Sequence, residues 1–169
     1  MRGEICMKIS DKMEAALNEQ IKNELYSAYL YLSMSAYSES KNFKGFAHWL
    51  KLQAKEELEH AMKIYDFIFE RGGKAVLKAI DEPPKEWDSF LDLFKNVYEH
   101  ENKVTDMINN LLKMAREEND YATEVFLHWF IDEQVEEESS ADEIVQKLTL
   151  AGDQINALML IDRALAERQ

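Results

Sequence analysis

Residues 43–73 read FKGFAHWLKLQAKEELEHAMKIYDFIFERGG. Within them Ala47, Leu50, Ala54, Glu57, Ala61, Ile64 and Ile68 recur at alternating steps of three and four, which is one face of a helix. The spacing predicts a helix from about Phe43 to Arg71. Gly72-Gly73 stop it, because glycine accepts the left-handed conformation that closes a helix. The stripe is apolar except near its middle, where Glu57 stands with His60 three residues further on.

The same pattern extends to both sides. Upstream, Ser10 can cap a first helix, and Asp11 and Glu14 suit the positive end of its dipole. Its face carries Leu17, Ile21, Glu24, Ala28, Tyr31 and Ser35, it runs to about Tyr37, and Ser38 to Asn42 make a short turn. Downstream comes the one long connection, about Lys74 to Lys85, with Pro83-Pro84 and a short extended piece expected around Val76 to Ile80. A third helix is expected from near Glu86 to about Asn119, with Phe94, Val97, Glu101, Val104, Ile108, Leu111 and Ala115 on one side. A fourth, from about Tyr121 to Leu150, carries Phe126, Phe130, Gln134, Glu137, Ala141, Ile144 and Leu148. Gly152-Asp153 end it, and a short fifth helix, Gln154 to Glu167, follows.

Four helices of nearly 30 residues span roughly 40–45 Å each and bury their stripes best against one another. The connections are short, long, short. Short links join antiparallel neighbours, whereas the long one can travel the length of the bundle and leave the second and third helices parallel. The expectation is an all-α four-helix bundle with a long crossover between helices 2 and 3 and a short C-terminal fifth helix. With 169 residues the chain suits one domain, 1–169, with residues 1–9 as a tail. Five glycines and two prolines give too little punctuation for a sandwich or barrel.

Charge narrows the partners. Thirty-three acidic residues against 20 basic give a formal net charge of -13, which repels nucleic acid and anionic bilayers and favours cations. No run of 18 apolar residues and no signal-peptide pattern is present, so a cytoplasmic location is expected. The single cysteine, Cys6, cannot form a disulfide within the chain and is given no role.

Each of the four stripes is interrupted near its middle by a carboxylate: Glu24, Glu57, Glu101 and Glu137. An unpaired buried carboxylate costs several kcal/mol or gives up its charge. The stripes contain no Lys or Arg to balance them, and a pair of metal ions would. Glu57 and His60 share a face at i,i+3, as do Gln134 and Glu137, while Glu24 and Glu101 come from the other two helices. One Glu from each of two helices plus an i,i+3 pair from each of the others is the di-iron carboxylate arrangement. Carboxylates with a lone imidazole suit iron or manganese, with zinc as a redox-silent competitor. A helix frame shifted by one residue exchanges Glu56 for Glu57, or Glu133 for Gln134. Glu56, Glu133 and Glu136 border the site and offer a further cation position. Tyr31, two turns along from Glu24, is either a packing residue or a hydrogen-bond and one-electron donor to the centre.

Taken together, Leu17-Asn18-Glu19-Gln20-Ile21 with Glu24-Leu25-Tyr26-Ser27, Glu56-Glu57-Leu58-Glu59-His60-Ala61, Tyr98-Glu99-His100-Glu101, Trp129-Phe130 and Glu133-Gln134-Val135-Glu136-Glu137-Glu138 resemble the non-haem bacterial and archaeal ferritins. The similarity spans about residues 8–166. The resemblance implies one iron position at Glu24, Glu57 and His60. A second would use Glu57 as bridge with Glu101 and Glu137, and Gln134 beside it. A third would use Glu56, Glu133 and Glu136 with help from Glu101, and Tyr31 matches the family's tyrosine beside the centre. It further implies a ferroxidase that oxidises Fe(II) with dioxygen or peroxide at Tyr31, Glu24, Glu57, His60, Glu101 and Glu137. Ferric mineral would be deposited inside a homo-oligomeric shell of 24 subunits.

Two departures separate the chain from bacterioferritins. Glu137 follows Gln134 where they have a histidine, and Leu58 stands where their haem-binding methionine lies, so no haem is expected. The alternatives are a di-iron or manganese peroxidase or oxidase without a storage cavity, and a twelve-subunit mini-ferritin. The mini-ferritin takes its ligands from two subunits and places its extra helix in the middle link. Here every helix brings its own ligands and the extra helix is C-terminal.

Overall fold

The computed structural model describes residues 8–169, so Cys6 lies outside the described residues. Five helices follow one another: α1 (Asp11–Ser40), α2 (Lys44–Glu70), α3 (Phe90–Glu117), α4 (Tyr121–Ala151) and α5 (Ile155–Leu165). Their starts follow local chemistry. Ser10, Ser89 and Asp120 each accept a hydrogen bond from the backbone N–H three residues on, satisfying a donor that the helix itself cannot. α1 packs mainly against α2 and α3 against α4, and α5 lies against α2.

The long connection determines the topology. Asn18 accepts from Val76 N–H (2.7 Å) and donates to Lys74 O (2.9 Å). Further on, Ser33 donates to Pro84 O (2.6 Å) and Tyr37 to Trp87 O (2.8 Å). The segment therefore climbs α1 from Asn18 to Tyr37, about 28 Å at 1.5 Å per residue. It returns the chain to the end where α2 began, so α2 and α3 run parallel. The all-α four-helix bundle with a long crossover and a short C-terminal fifth helix is the observed fold.

The stretch from Val76 to Ile80 forms no helix and pairs with no strand among the described residues, and Asn18 of α1 binds the backbone where it begins. Two boundaries differ from expectation. α3 begins at Phe90 rather than near Glu86, since Ser89 caps it and Trp87 turns into the core beside Tyr37. α1 continues to Ser40, past Tyr37, because Ser38 and Ser40 donate back to the carbonyls of Met34 and Tyr37 and so stay within the helix.

The core has two apolar halves. One gathers Leu30, Met34, Phe46, Leu50, Phe94, Val97, Ile144 and Leu148, among others. The second gathers Met13, Leu17, Ile21, Ile64, Ile68, Val104, Ile108 and Leu127. Each buried side chain of this size contributes about 1.5–3 kcal/mol. On every long helix the two halves are separated by a gap of about two to three turns, and the buried residues in the gaps are polar.

α5 docks by close backbone approach. α2 has no side-chain cap of its own at Phe43, and Asp162 of α5 accepts from Phe46 N–H at 2.9 Å instead. Gly45 makes room for it: a Cβ there would lie 1.6 Å from the Asp162 carbonyl oxygen. The chain after α5 is thus held along the first half of α2.

Candidate metal centre

The polar layer between the two core halves holds Glu24 from α1, Glu57 and His60 from α2, Glu101 from α3, and Gln134 and Glu137 from α4. Glu24, Glu57 and Glu101 are each 1% exposed, and the other three are also buried. The helix frame is therefore resolved. Glu57 and Gln134 face inward, whereas Glu56 and Glu133 are only half-buried. Ala28, Ala54 and Phe126, placed on the inner stripes by spacing, are half-buried too, and Ser27, Gln53 and Leu127 take the inner positions.

Two sets of ligand atoms converge. Atoms of Glu24, Glu57 and His60 lie within 4.8 Å of one another, as do atoms of His60, Glu133 and Glu137. In the first set Glu24 Oε2, Glu57 Oε2 and His60 Nδ1 are buried and have no hydrogen-bond partner. His60 Nδ1 is 3.4 Å from Glu57 Oε2. Three buried donor atoms left bare in one place suit a cation, because leaving each unsatisfied costs about 1–3 kcal/mol or more. The other oxygen of Glu24 is occupied by Gln20 Nε2–H at 2.8 Å, which turns Oε2 towards the site.

The α3–α4 side is bonded. Tyr31, fully buried, donates its hydroxyl to Glu101 Oε1. Gln134 Nε2 lies 3.2 Å from Glu101 Oε2, and Gln53 donates to Glu137 Oε2. Burial raises the Glu101 carboxyl to about 7, against the hydrogen bonds of Tyr31 and Gln134 that lower it. Burial, then the Glu101 charge, raises Glu137 to about 8. Burial and the charge of Glu101 likewise push Glu57 well up. Carboxyls this close hold protons near neutrality until a cation replaces them, so metal binding releases protons.

Of the bordering acids only Glu133 is drawn to the centre. Glu133 approaches His60 Nε2 at 4.0 Å, but Glu136 is exposed, and Glu56 Oε2 accepts from Arg168 Nη2 at 2.6 Å. Arg168 is a cation that the four stripes do not contain; it arrives from beyond α5.

Gln20, Gln53, Ser27, His100 and Arg168, in or beside this layer, escape stripe reading. Gln20 and Gln53 each stand one turn before a buried glutamate on the same face, a spacing that points to them. His100 was visible only as part of a motif. Ser27 gives its hydroxyl proton to Asn23 O, so its oxygen accepts from His100 Nε2–H at 2.7 Å, and the His100 ring stands edge-on to Tyr31. Burial and the Lys103 charge lower His100 to about 4, keeping this support neutral. Arg168 carries no local signal.

A family model described as a ferritin-like domain matches residues 14–151. The chain belongs to the ferritin-like family. Within it the chain stands with the non-haem ferritins of bacteria and archaea. It is 46% identical over 160 residues to a bacterial non-heme ferritin of Bacteroides fragilis, covering 95% of this chain and 99% of that one. It is 44% identical to one from Staphylococcus epidermidis, covering 95% and 96%. Among solved structures, an open pore ferritin of Archaeoglobus fulgidus superposes with a TM-score of 0.95 at 54% identity, covering 96% of this chain and all of that one. The match fits the metal-binding potential of the layer, since the ferritin-like bundle is where the two sets of ligand atoms meet.

Proposed function

We infer that the protein is an iron-storage ferritin with ferroxidase activity, working in the cytoplasm as a shell of 24 copies. The observation that carries this reading is the convergence of bare, buried atoms of Glu24, Glu57 and His60 beside the bonded carboxylates Glu101 and Glu137. Fe(II) is substrate here. One ion takes Glu24, Glu57 and His60, and a second takes Glu57, Glu101 and Glu137 with Gln134 adjacent. Carboxylates stabilise Fe(III) over Fe(II), which makes oxidation downhill. Two ferrous ions together supply the two electrons that take dioxygen to peroxide and avoid a one-electron radical product. Tyr31, hydrogen-bonded to Glu101, holds that ligand and stands in reach of one-electron donation to the centre.

Release to a mineral requires ligation weaker than that of a permanent cofactor, and Gln134 supplies a neutral group where a histidine would bind more firmly. Glu133, within reach of His60 and Glu137, offers a further cation position at the edge of the centre. The net charge of -13 draws Fe(II) inward and offers surfaces on which ferric mineral nucleates. No helix among the described residues is long and apolar enough to cross a membrane.

The test is an anaerobic Fe(II) titration of metal-free protein followed by air, with particle mass from sedimentation. A particle of about 450–500 kDa, as 24 copies of a 19.8 kDa chain require, is expected. It should continue oxidising iron far beyond two or three ions per chain and keep it soluble. A dimer that stops at two ions per chain would overturn storage and leave a di-iron oxidase.

A further inference from the structure

The tail beyond α5 reaches the metal centre. The guanidinium of Arg168 donates from Nη2 to Glu56 Oε2 at 2.6 Å and from Nη1 to Gln53 Oε1 at 2.9 Å. It lies 4.7 Å over the Trp49 ring, and its backbone carbonyl accepts from His48 Nε2–H at 2.8 Å. Three residues of α2 therefore bind this one side chain near the C-terminal end, and His48 binds its backbone. Asp162 on the N-terminus of α2, admitted by Gly45, fixes the helix that delivers it.

Gln53 is 1% exposed, so its amide has no water to turn to. Arginine has donors only, and the Glu137 carboxylate, ionised once a cation replaces its proton, accepts only. With Arg168 on one side and Glu137 on the other, only one orientation of the amide satisfies both: oxygen towards Arg168, nitrogen towards Glu137. The amide thereby holds Glu137 Oε2 and leaves Oε1 free for an ion. Without Arg168 the amide loses the partner that selects this orientation, and its oxygen can swing to face the Glu137 carboxylate, where two acceptors repel.

We propose that Arg168 is a positioning residue of the metal centre: through Gln53 it orients Glu137 and so sets the affinity of the second ion, making the C-terminal tail part of the site. The proposal rests on the di-metal reading above. It assigns work to a residue that touches no ion, and it divides the centre. The Glu24, Glu57 and His60 half is independent of the tail, whereas the Glu137 half depends on it.

The test is calorimetric titration of the assembled, metal-free protein with Zn(II), a redox-silent probe that counts and ranks sites without turnover. Arg168→Ala should weaken the second ion by about 10- to 100-fold, the range for partners of metal ligands, and leave the first ion unchanged. Gln53→Leu should do the same, and the double variant should be no weaker than either single one, because both break one chain of hydrogen bonds. Arg168→Lys, which can meet Glu56 or Gln53 but not both, should recover part of the loss. Wild-type affinity for both ions in Arg168→Ala would overturn the proposal, as would effects of the two substitutions that add, or equal weakening of both ions. Absence of any Zn(II) binding by the unsubstituted chain would instead overturn the di-metal reading itself.

Discussion

The two halves of the metal centre are built differently. On the α1–α2 side Glu24, Glu57 and His60 present bare atoms, with only Gln20 tethering the far oxygen of Glu24. On the α3–α4 side, Glu101 and Glu137 are held by Tyr31, Gln134 and Gln53. Bare donors bind strongly because no hydrogen bond to the protein must be broken. Bonded carboxylates are oriented in advance, yet part of their capacity is spent on protein. A centre that must take up iron and then hand it on has use for both: one half that captures and one that lets go.

The largest effect expected from breaking this contrast is at Glu57, which stands between the halves. Glu57→Gln should slow Fe(II) oxidation by at least about 100-fold, the upper end of what a ligand's partner alone costs. Stopped-flow absorbance after mixing with air-saturated buffer measures it. A rate within a few-fold of wild type would show that Glu57 does not bridge.

Tyr31→Phe acts on the bonded half alone. It removes the donor to Glu101 and should cost about 10-fold in oxidation rate, with first-ion affinity unchanged in the same Zn(II) titration. Weakening of the first ion would erase the distinction between the halves.

The pH dependence sharpens it further. Glu101 and Glu137 bind their protons more tightly in the folded chain, at about 7 and 8, than at the ordinary value of 4.5. Their contribution to the stability of metal-free protein is therefore greatest below about 4.5 and is lost as pH rises through 7 and 8. Thermal melting of metal-free protein should fall from pH 5 to about 8.5. The double variant Glu101→Gln, Glu137→Gln should flatten that slope, and bound Zn(II) should reverse it. A slope unchanged by the substitutions would assign it to the surface charge.

The smallest effect is outside the layer. Asp162→Ala removes the cap that α5 lends to α2 and should cost about 1 kcal/mol, or about 2–4 °C in melting temperature. Because α5 carries Arg168, second-ion affinity should drop too, by less than in Arg168→Ala.

Much of this was legible in the chain itself. Periodicity of 3.6 located the helices, since a long amphipathic helix repeats its apolar residues whatever it packs against, and the four interrupting carboxylates followed from the same count. Boundaries were less legible where side chains compete for backbone. Ser38 and Ser40 suggest a turn by composition but bond back into α1, whereas Asp120 and Ser89 cap their helices as their residue types suggest. Spacing alone left Glu56 and Glu57 interchangeable, because one residue is only 100° of rotation, and packing against three other helices chose between them.

What the sequence determined by itself is therefore the set of helices, their order and the chemistry they carry inward: local periodicity and charge are properties of neighbours along the chain. What only the tertiary structure decided is which atoms are left bare and which are bonded. Tyr31 on Glu101 spans 70 positions, Gln53 on Glu137 spans 84 and Arg168 on Glu56 spans 112. No local pattern encodes such pairs; they exist because the crossover sets α2 parallel to α3 and because Gly45 lets α5 close on α2.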